Sequence, residues 1–293
     1  MFVFKAAVVG AGTMGGEIAQ TIAAAGLPVV LKDVEQRFVD QGLEKARQVT
    51  QGQLGGLVAK EKITQEDADR QLEEIVGRIT GTTEYEGFGD ADFVIEAVPE
   101  EIGLKLRTFA MLDRQCGEDV VLATNTSGLS ITEIAAATKR PGRVVGMHFF
   151  NPVPKMKLVE VVKALDTGAD TIGVTVEVAR RMGKETVVVK DSAGFITSRV
   201  NAMIGNEAFL MLQEGVASAE DIDKALKLGL NHPMGPFELV DVVGLDTRLA
   251  VLEFLHRSLG EKYRPAPLLV QHVKAGRLGR KVGRGVYDYG GAS

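Results

Sequence analysis

A chain of 293 residues with a formal charge of −5 and 45% hydrophobic residues is long enough for two domains, each able to bury a core. Its acidic and basic residues are mixed rather than blocked, which excludes the electrostatic footprint of a nucleic-acid binder; one cysteine, Cys116, excludes an intramolecular disulfide or a cysteine metal cluster. No apolar run approaches the roughly 20 residues of a membrane span, and Met1 leads into a strand pattern without a cleavable leader, so the expected compartment is the reducing cytoplasm.

The first segment reads FKAAVVG, GTMGGEIAQTIAAAG, PVVLKD: strand, helix and strand, the unit of a doubly wound parallel sheet. Its turn, Gly10, Ala11, Gly12, Thr13, Met14, Gly15, has the glycine spacing of a dinucleotide-binding loop. Gly10 permits the tight turn, Gly12 admits a diphosphate, Gly15 lets the helix pack, and the helix N-terminus favours the anion. Asp33 ends the second strand, where it is placed to accept from both ribose hydroxyls of NAD and to repel the 2′-phosphate of NADP.

Residues 35 to 79 read as two charged amphipathic helices, the second opening at Thr64, inserted in the nucleotide domain. Lys60 and Lys62 lie at their joint, where a solvated surface and a site for a substrate phosphate are both open. Strand and helix then alternate again: DFVIEAVPE to Glu100, a helix over 104–116, VVLATNTS from 120 to Ser127, and a helix from Ile131. In such sheets ligands bind at the carboxyl edge of the strands. RVVGMHFF (143–150) and KLVEVV (157–162) flank a turn signal from Asn151 to Pro154. A return symmetric about Pro154 sets His148 opposite Glu160, each six residues away. A carboxylate beside an imidazole fixes its tautomer and stabilises the imidazolium, which is the equipment of a general base. A hydrogen-bonded packing histidine is the plain alternative; Glu160, and Ser127 on an upstream strand end, weigh against it. His232, His256 and His272 have no ligand spacing, and no metal is expected.

A helix over 170–182 and the strand TVVVKD close the first domain, taken as residues 1–189, a Rossmann-like α/β domain. From 190 to 293 the pattern is helical: a helix within 194–215, one capped by Ser218 and stopped by Gly229, then two or three more. The apolar faces of this all-α domain, that of residues 194–213 most of all, exceed what about 100 residues need internally, so a homodimer through it is expected.

With both halves in view, the chain resembles the 3-hydroxyacyl-CoA dehydrogenase family, in its short bacterial type that acts on 3-hydroxybutyryl-CoA. The resemblance rests on VVGAGTMGGEIAQ, IEAVPE, ATNTSGLSI, GMHFFNPVPKMKLVEVV, KDSAGFITSR, NHPMGPFELVDVVGLD and GRKVGRGVYDY, from one end to the other. It implies a two-domain dimer that uses NAD to oxidise, reversibly, the 3-hydroxyl of an acyl-CoA in fatty acid metabolism such as β-oxidation. By the resemblance His148 is the catalytic base, Glu160 its partner and Ser127 the contact to the substrate oxygen. Asn151 falls near the nicotinamide; Glu100, Lys105, Ser127 and Lys281 fall on cofactor-contacting positions, and Lys60 near the CoA phosphates. One departure stands out: Ser198, in GFITSR, replaces the asparagine expected of the family and is placed with the catalytic set. A serine reaches less far than an amide and offers fewer partners. This keeps open a dehydrogenase acting on a substrate without CoA, such as a sugar acid or carnitine; a non-catalytic NAD-binding protein is the rival from another class.

Overall fold

The computed structural model describes residues 2–290; Met1, read above as opening the chain without a leader, lies outside them. They fall into two compact units that divide between Asp191 and Ser192. No helix of the described residues is long and apolar enough to cross a membrane.

The first unit is an eight-stranded sheet in the order β3-β2-β1-β4-β5-β6-β7-β8. Its strands are β1 Ala6–Val9, β2 Val29–Lys32, β3 Ile79–Thr82, β4 Phe93–Glu96, β5 Val121–Thr124, β6 Val144–Phe149, β7 Leu158–Lys163 and β8 Glu185–Lys190. Strands β1 to β6 run parallel, whereas β7 is antiparallel to β6 and parallel to β8. The short apolar strands β1, β2, β4 and β5 are buried at every residue, as expected where both faces of a parallel sheet are covered.

The helices of this unit are α1 Thr13–Ala24, α2 Gln36–Val58, α3 Gln65–Val76, α4 Ile102–Gln115, α5 Ile131–Ala135 and α6 Ala169–Arg181. Thr64 caps α3 by accepting from the Asp67 N–H, with Glu66 and Asp67 in the first turn. Helices α1 and α2 touch backbone to backbone, because a β-carbon at Gly16 would come within 2.8 Å of the Gly42 carbonyl oxygen. The second inserted helix does not run to residue 79 but stops at Val76, and Ile79–Thr82 form the edge strand β3 on β2. Ile79 fits the apolar period of a helix as well as it fits a strand, and pairing with β2 decides between them.

The second unit holds α7 Thr197–Glu214, α8 Ala219–Gly229, α9 Pro236–Val243, α10 Leu245–Leu259 and α11 Pro267–Lys274. Gly215 ends α7 in the left-handed conformation at φ 72°, and Ser218 caps α8 through the Asp221 N–H. Its core joins Ala202, Ala208 and Phe209 of α7 to Phe237, Val240, Leu252, Leu255 and Leu269, with Met203, Leu210, Met211 and Leu212 packed on it. Most of the apolar surplus read on residues 194–213 is therefore used inside the unit, and Val200 is the large apolar side chain of α7 left exposed, at 53%.

Candidate active site

The glycine loop joins β1 to α1. Gly10 has φ 98°, and a β-carbon there would lie 2.6 Å from the Ala97 carbonyl oxygen; one at Gly15 would lie 1.7 Å from that of Gly10. Neither position has room for a side chain. At Gly12 the reverse holds: no atom lies within 4 Å of its β-carbon position. Gly12 is also the N-cap of α1 and supplies no side-chain cap, so the loop meets the positive end of the helix on open ground. Thr13 is exposed and Met14 half-buried beside it. Asp33, just past β2, accepts from the Ala11 N–H through Oδ2 and from the Val34 N–H through Oδ1, both at 2.6 Å. Each oxygen retains a lone pair. A carboxylate fixed to the glycine loop, beside an uncapped helix N-terminus, fits the ribose and diphosphate of NAD.

His148 and Glu160 are paired across the antiparallel β6–β7 ladder. The His148 Nδ1 lies 2.7 Å from Glu160 Oε2, with exposures of 6% and 0%, and the Phe150 ring packs 4.5 Å from the imidazole. Accepting from Nδ1–H, the carboxylate places the basic lone pair on Nε2. The local symmetry read from the turn thus sets the right register, which holds because a slip of one residue would move every β7 side chain to the other face.

Strands β4, β5 and β6 are consecutive in the sheet, so the residues that follow β4 and β5 share an edge with His148. Asn125 accepts from the Phe149 N–H at 2.9 Å and ties the end of β5 to that of β6. Glu100 Oε1 accepts from Thr126 Oγ1 at 2.6 Å and from both the N–H and the hydroxyl of Ser127, at 2.8 and 3.0 Å. Lys105 is 1% exposed, and its ammonium meets Glu96 at 2.7 Å, the Val98 carbonyl at 3.2 Å and Glu100 Oε2 at 3.5 Å. Asn151 is exposed at the start of the β6–β7 turn. Lys60 and Lys62 are exposed on the α2–α3 joint and form no ion pair among the described residues. In the second unit Ser198 is half-buried in the first turn of α7, and Lys281 donates to both oxygens of Asp246 at 2.6 Å.

Two buried acids of the first unit escaped the sequence reading. Glu96 closes β4 with 0% exposure, and Glu17, 2% exposed on α1, accepts from the Val153 N–H and pairs with Lys45, anchoring the turn after His148. The signal was present in both cases: an acid inside an otherwise apolar run, FVIEAV or GGEIAQ, has to find partners when the run is buried. Cys116 is buried, and burial pushes its thiol up to about 11, so it is no nucleophile at neutral pH.

A parallel sheet with this loop, an oriented acid after β2 and a buried His–Glu pair at the same edge define a dinucleotide-dependent oxidoreductase. Comparison with known proteins places it more narrowly. Residues 5–192 match the family model described as 3-hydroxyacyl-CoA dehydrogenase, NAD binding domain, and residues 194–289 the one described as 3-hydroxyacyl-CoA dehydrogenase, C-terminal domain. The chain belongs to the 3-hydroxyacyl-CoA dehydrogenase family. It is 48% identical over 283 residues to a Bacillus subtilis protein named "Probable 3-hydroxybutyryl-CoA dehydrogenase", covering 96% of each chain. It is 46% identical to the 3-hydroxybutyryl-CoA dehydrogenase of Clostridioides difficile, over 97% of this chain and 99% of that one. The crystal structure of (S)-3-hydroxybutyryl-CoA dehydrogenase from Ralstonia eutropha superposes with a TM-score of 0.92 at 44% identity, covering 98% of this chain and 99% of that one.

Proposed function

We propose that the chain interconverts 3-hydroxybutyryl-CoA and acetoacetyl-CoA with NAD, and that His148 and Glu160 handle the proton. The buried pair at 2.7 Å carries this reading. NAD held by the Gly10–Gly15 loop and Asp33 would supply the redox chemistry, as the acceptor for a hydride from C3 of the substrate. In that direction His148 Nε2 removes the proton of the 3-hydroxyl, Glu160 stabilises the imidazolium, and Ser127 holds the C3 oxygen; in reverse, the imidazolium is the acid. Asp33 and the Gly10–Gly15 loop bind the cofactor, with Glu100, Asn151 and Lys281 as its further contacts and Lys105 buried behind Glu100. Lys60 meets the CoA phosphates and Ser198 the substrate. Family membership and the relatives' names favour an acyl-CoA substrate over a sugar acid or carnitine, and the intact Ser127, His148 and Glu160 set favours an enzyme over a non-catalytic binder.

The test is NADH oxidation with acetoacetyl-CoA, beside carnitine- and sugar-derived 3-oxo acids, in three proteins. Ser198→Ala should lower kcat/KM by about 2- to 150-fold, the factor for a lost hydrogen bond worth about 0.5 to 3 kcal/mol, with NADH affinity unchanged. Ser198→Asn should retain activity on acetoacetyl-CoA. Equal kinetics in all three proteins would remove Ser198 from the site, and greater wild-type turnover of a substrate without CoA would refute the acyl-CoA reading.

We also propose a cytoplasmic homodimer joined through the second unit. Val200, Val242 and Val243, at 53%, 48% and 41% exposure, are among the exposed helix-borne apolar side chains of that unit and support it. The intact chain should sediment as a dimer at micromolar concentration and Val200→Asp as a monomer; a monomeric wild type would refute the interface.

A further inference from the structure

Glu96 is a carboxylate with no access to solvent at the end of an apolar strand. Its Oε1 accepts from Lys105 Nζ at 2.7 Å and from the Val98 N–H at 2.6 Å, and its Oε2 accepts from Thr124 Oγ1 at 2.7 Å. Burial pushes this carboxyl up, against the pull of Lys105 and the three hydrogen bonds. Such a charge is tolerated only when it is fully paired. Lys105 is as deeply placed: its ammonium donates to Glu96 Oε1 and to the Val98 carbonyl and forms an ion pair with Glu100 Oε2 at 3.5 Å. Its side chain is 1% exposed, which leaves no surface open for direct contact with a cofactor.

Glu100 differs from its two neighbours. Its side chain is 42% exposed, so solvent competes for it; its links to the buried interior are Thr126 Oγ1 on Oε1 and the Lys105 ammonium on Oε2. Through Oε1 it holds Ser127 by both the N–H and the hydroxyl. A serine hydroxyl has one proton, here directed at Glu100, so Glu100 sets which way the Ser127 lone pairs point.

We infer that Glu96 is a positioning residue for the dehydrogenase reaction: it holds the Lys105 ammonium and, through it, the Glu100 carboxylate that orients Ser127. The inference rests on the proposed contact between Ser127 and the C3 oxygen. The charges explain why the acid at 96 matters. Lys105 lies between two carboxylates and favours the nearer, at 2.7 Å over 3.5 Å. Neutralising Glu96 leaves Glu100 as the one carboxylate on Lys105. Glu100 is then drawn inward, away from Ser127.

The experiment compares Glu96→Gln, the double variant Glu96→Gln with Lys105→Met, and Ser127→Ala in the full-length protein, reading kcat, KM for acetoacetyl-CoA and Tm. Glu96→Gln should lower Tm and reduce kcat by about 10- to 100-fold, the scale for a contact misplaced by about 1 Å, with a smaller change in KM. The double variant removes the buried charges as a pair, and such neutral replacements recover stability. It should regain Tm while kcat stays low, because Glu100 has lost its lysine. A purely structural role predicts that kcat returns with Tm, and that result overturns the inference, as would wild-type kcat in Glu96→Gln. If Glu96→Gln does not fold, the double variant decides alone. Ser127→Ala separates the two readings: wild-type kcat there overturns the role of Ser127 and the inference with it, whereas an impaired Ser127→Ala beside a fully active double variant overturns the inference alone.

Discussion

Replacing His148 with glutamine is expected to lower kcat by about 10²- to 10⁴-fold, the usual contribution of a positioned general acid or base, while NADH still binds. The proposed cofactor determinants, the Gly10–Gly15 loop and Asp33, follow β1 and β2, whereas His148 sits on β6, so the substitution leaves them intact. Glu160→Gln should also lower kcat, by a smaller factor, because the amide oxygen can still accept from Nδ1–H but carries no charge to stabilise the imidazolium. The two losses should not add. Glu160 lies 2.7 Å from the ring, and in the proposed mechanism it acts on the reaction through it, so the double variant should be about as slow as His148→Gln alone. Stopped-flow measurement of the chemical step in all three variants provides the comparison, and full additivity would show that the two residues work independently.

The second large effect is on cofactor choice. A 2′-phosphate brought to about 4 Å from the Asp33 carboxylate meets a repulsion on the order of 4 kcal/mol at an effective dielectric constant near 20, which corresponds to about 10²- to 10³-fold in favour of NADH over NADPH. Asp33 has a second duty, accepting from the Ala11 and Val34 N–H groups. Asp33→Ala should therefore narrow the preference and weaken NADH binding together, since the glycine loop loses its anchor. Asp33→Asn keeps one acceptor and removes the charge, so more of its effect should fall on the preference. The ratio of kcat/KM for the two cofactors is the measurement. A wild-type protein that used NADPH as well as NADH would refute the ribose role.

The sequence by itself determined what local geometry controls. The β1–α1–β2 unit follows from a strand pattern, three spaced glycines and an apolar helix face within about 30 residues, the reach of one supersecondary motif. Thr64 and Ser218 mark helix starts because their hydroxyls satisfy N–H groups three residues on, a contact that needs no tertiary partner. His148 and Glu160 are legible as a pair because twelve residues and one turn separate them, and the buried apolar pattern of both strands permits one register.

Contacts between distant strands were decided by the tertiary structure alone. Glu100 holds Ser127 across 27 positions, Glu96 accepts from Thr124 across 28, and Glu17 reaches Val153 across 136. The first two depend on strand order, which places β4 against β5 and is set by burial of the whole sheet rather than by any local preference. Strand β3 belongs with these: ITGT becomes a strand because β2 offers an unpaired edge, and unpaired backbone N–H and C=O groups there are satisfied by pairing. The same long-range order moved Lys105 from an expected cofactor contact to the buried centre of three acceptors, since only the folded sheet brings Glu96, Val98 and Glu100 around one ammonium.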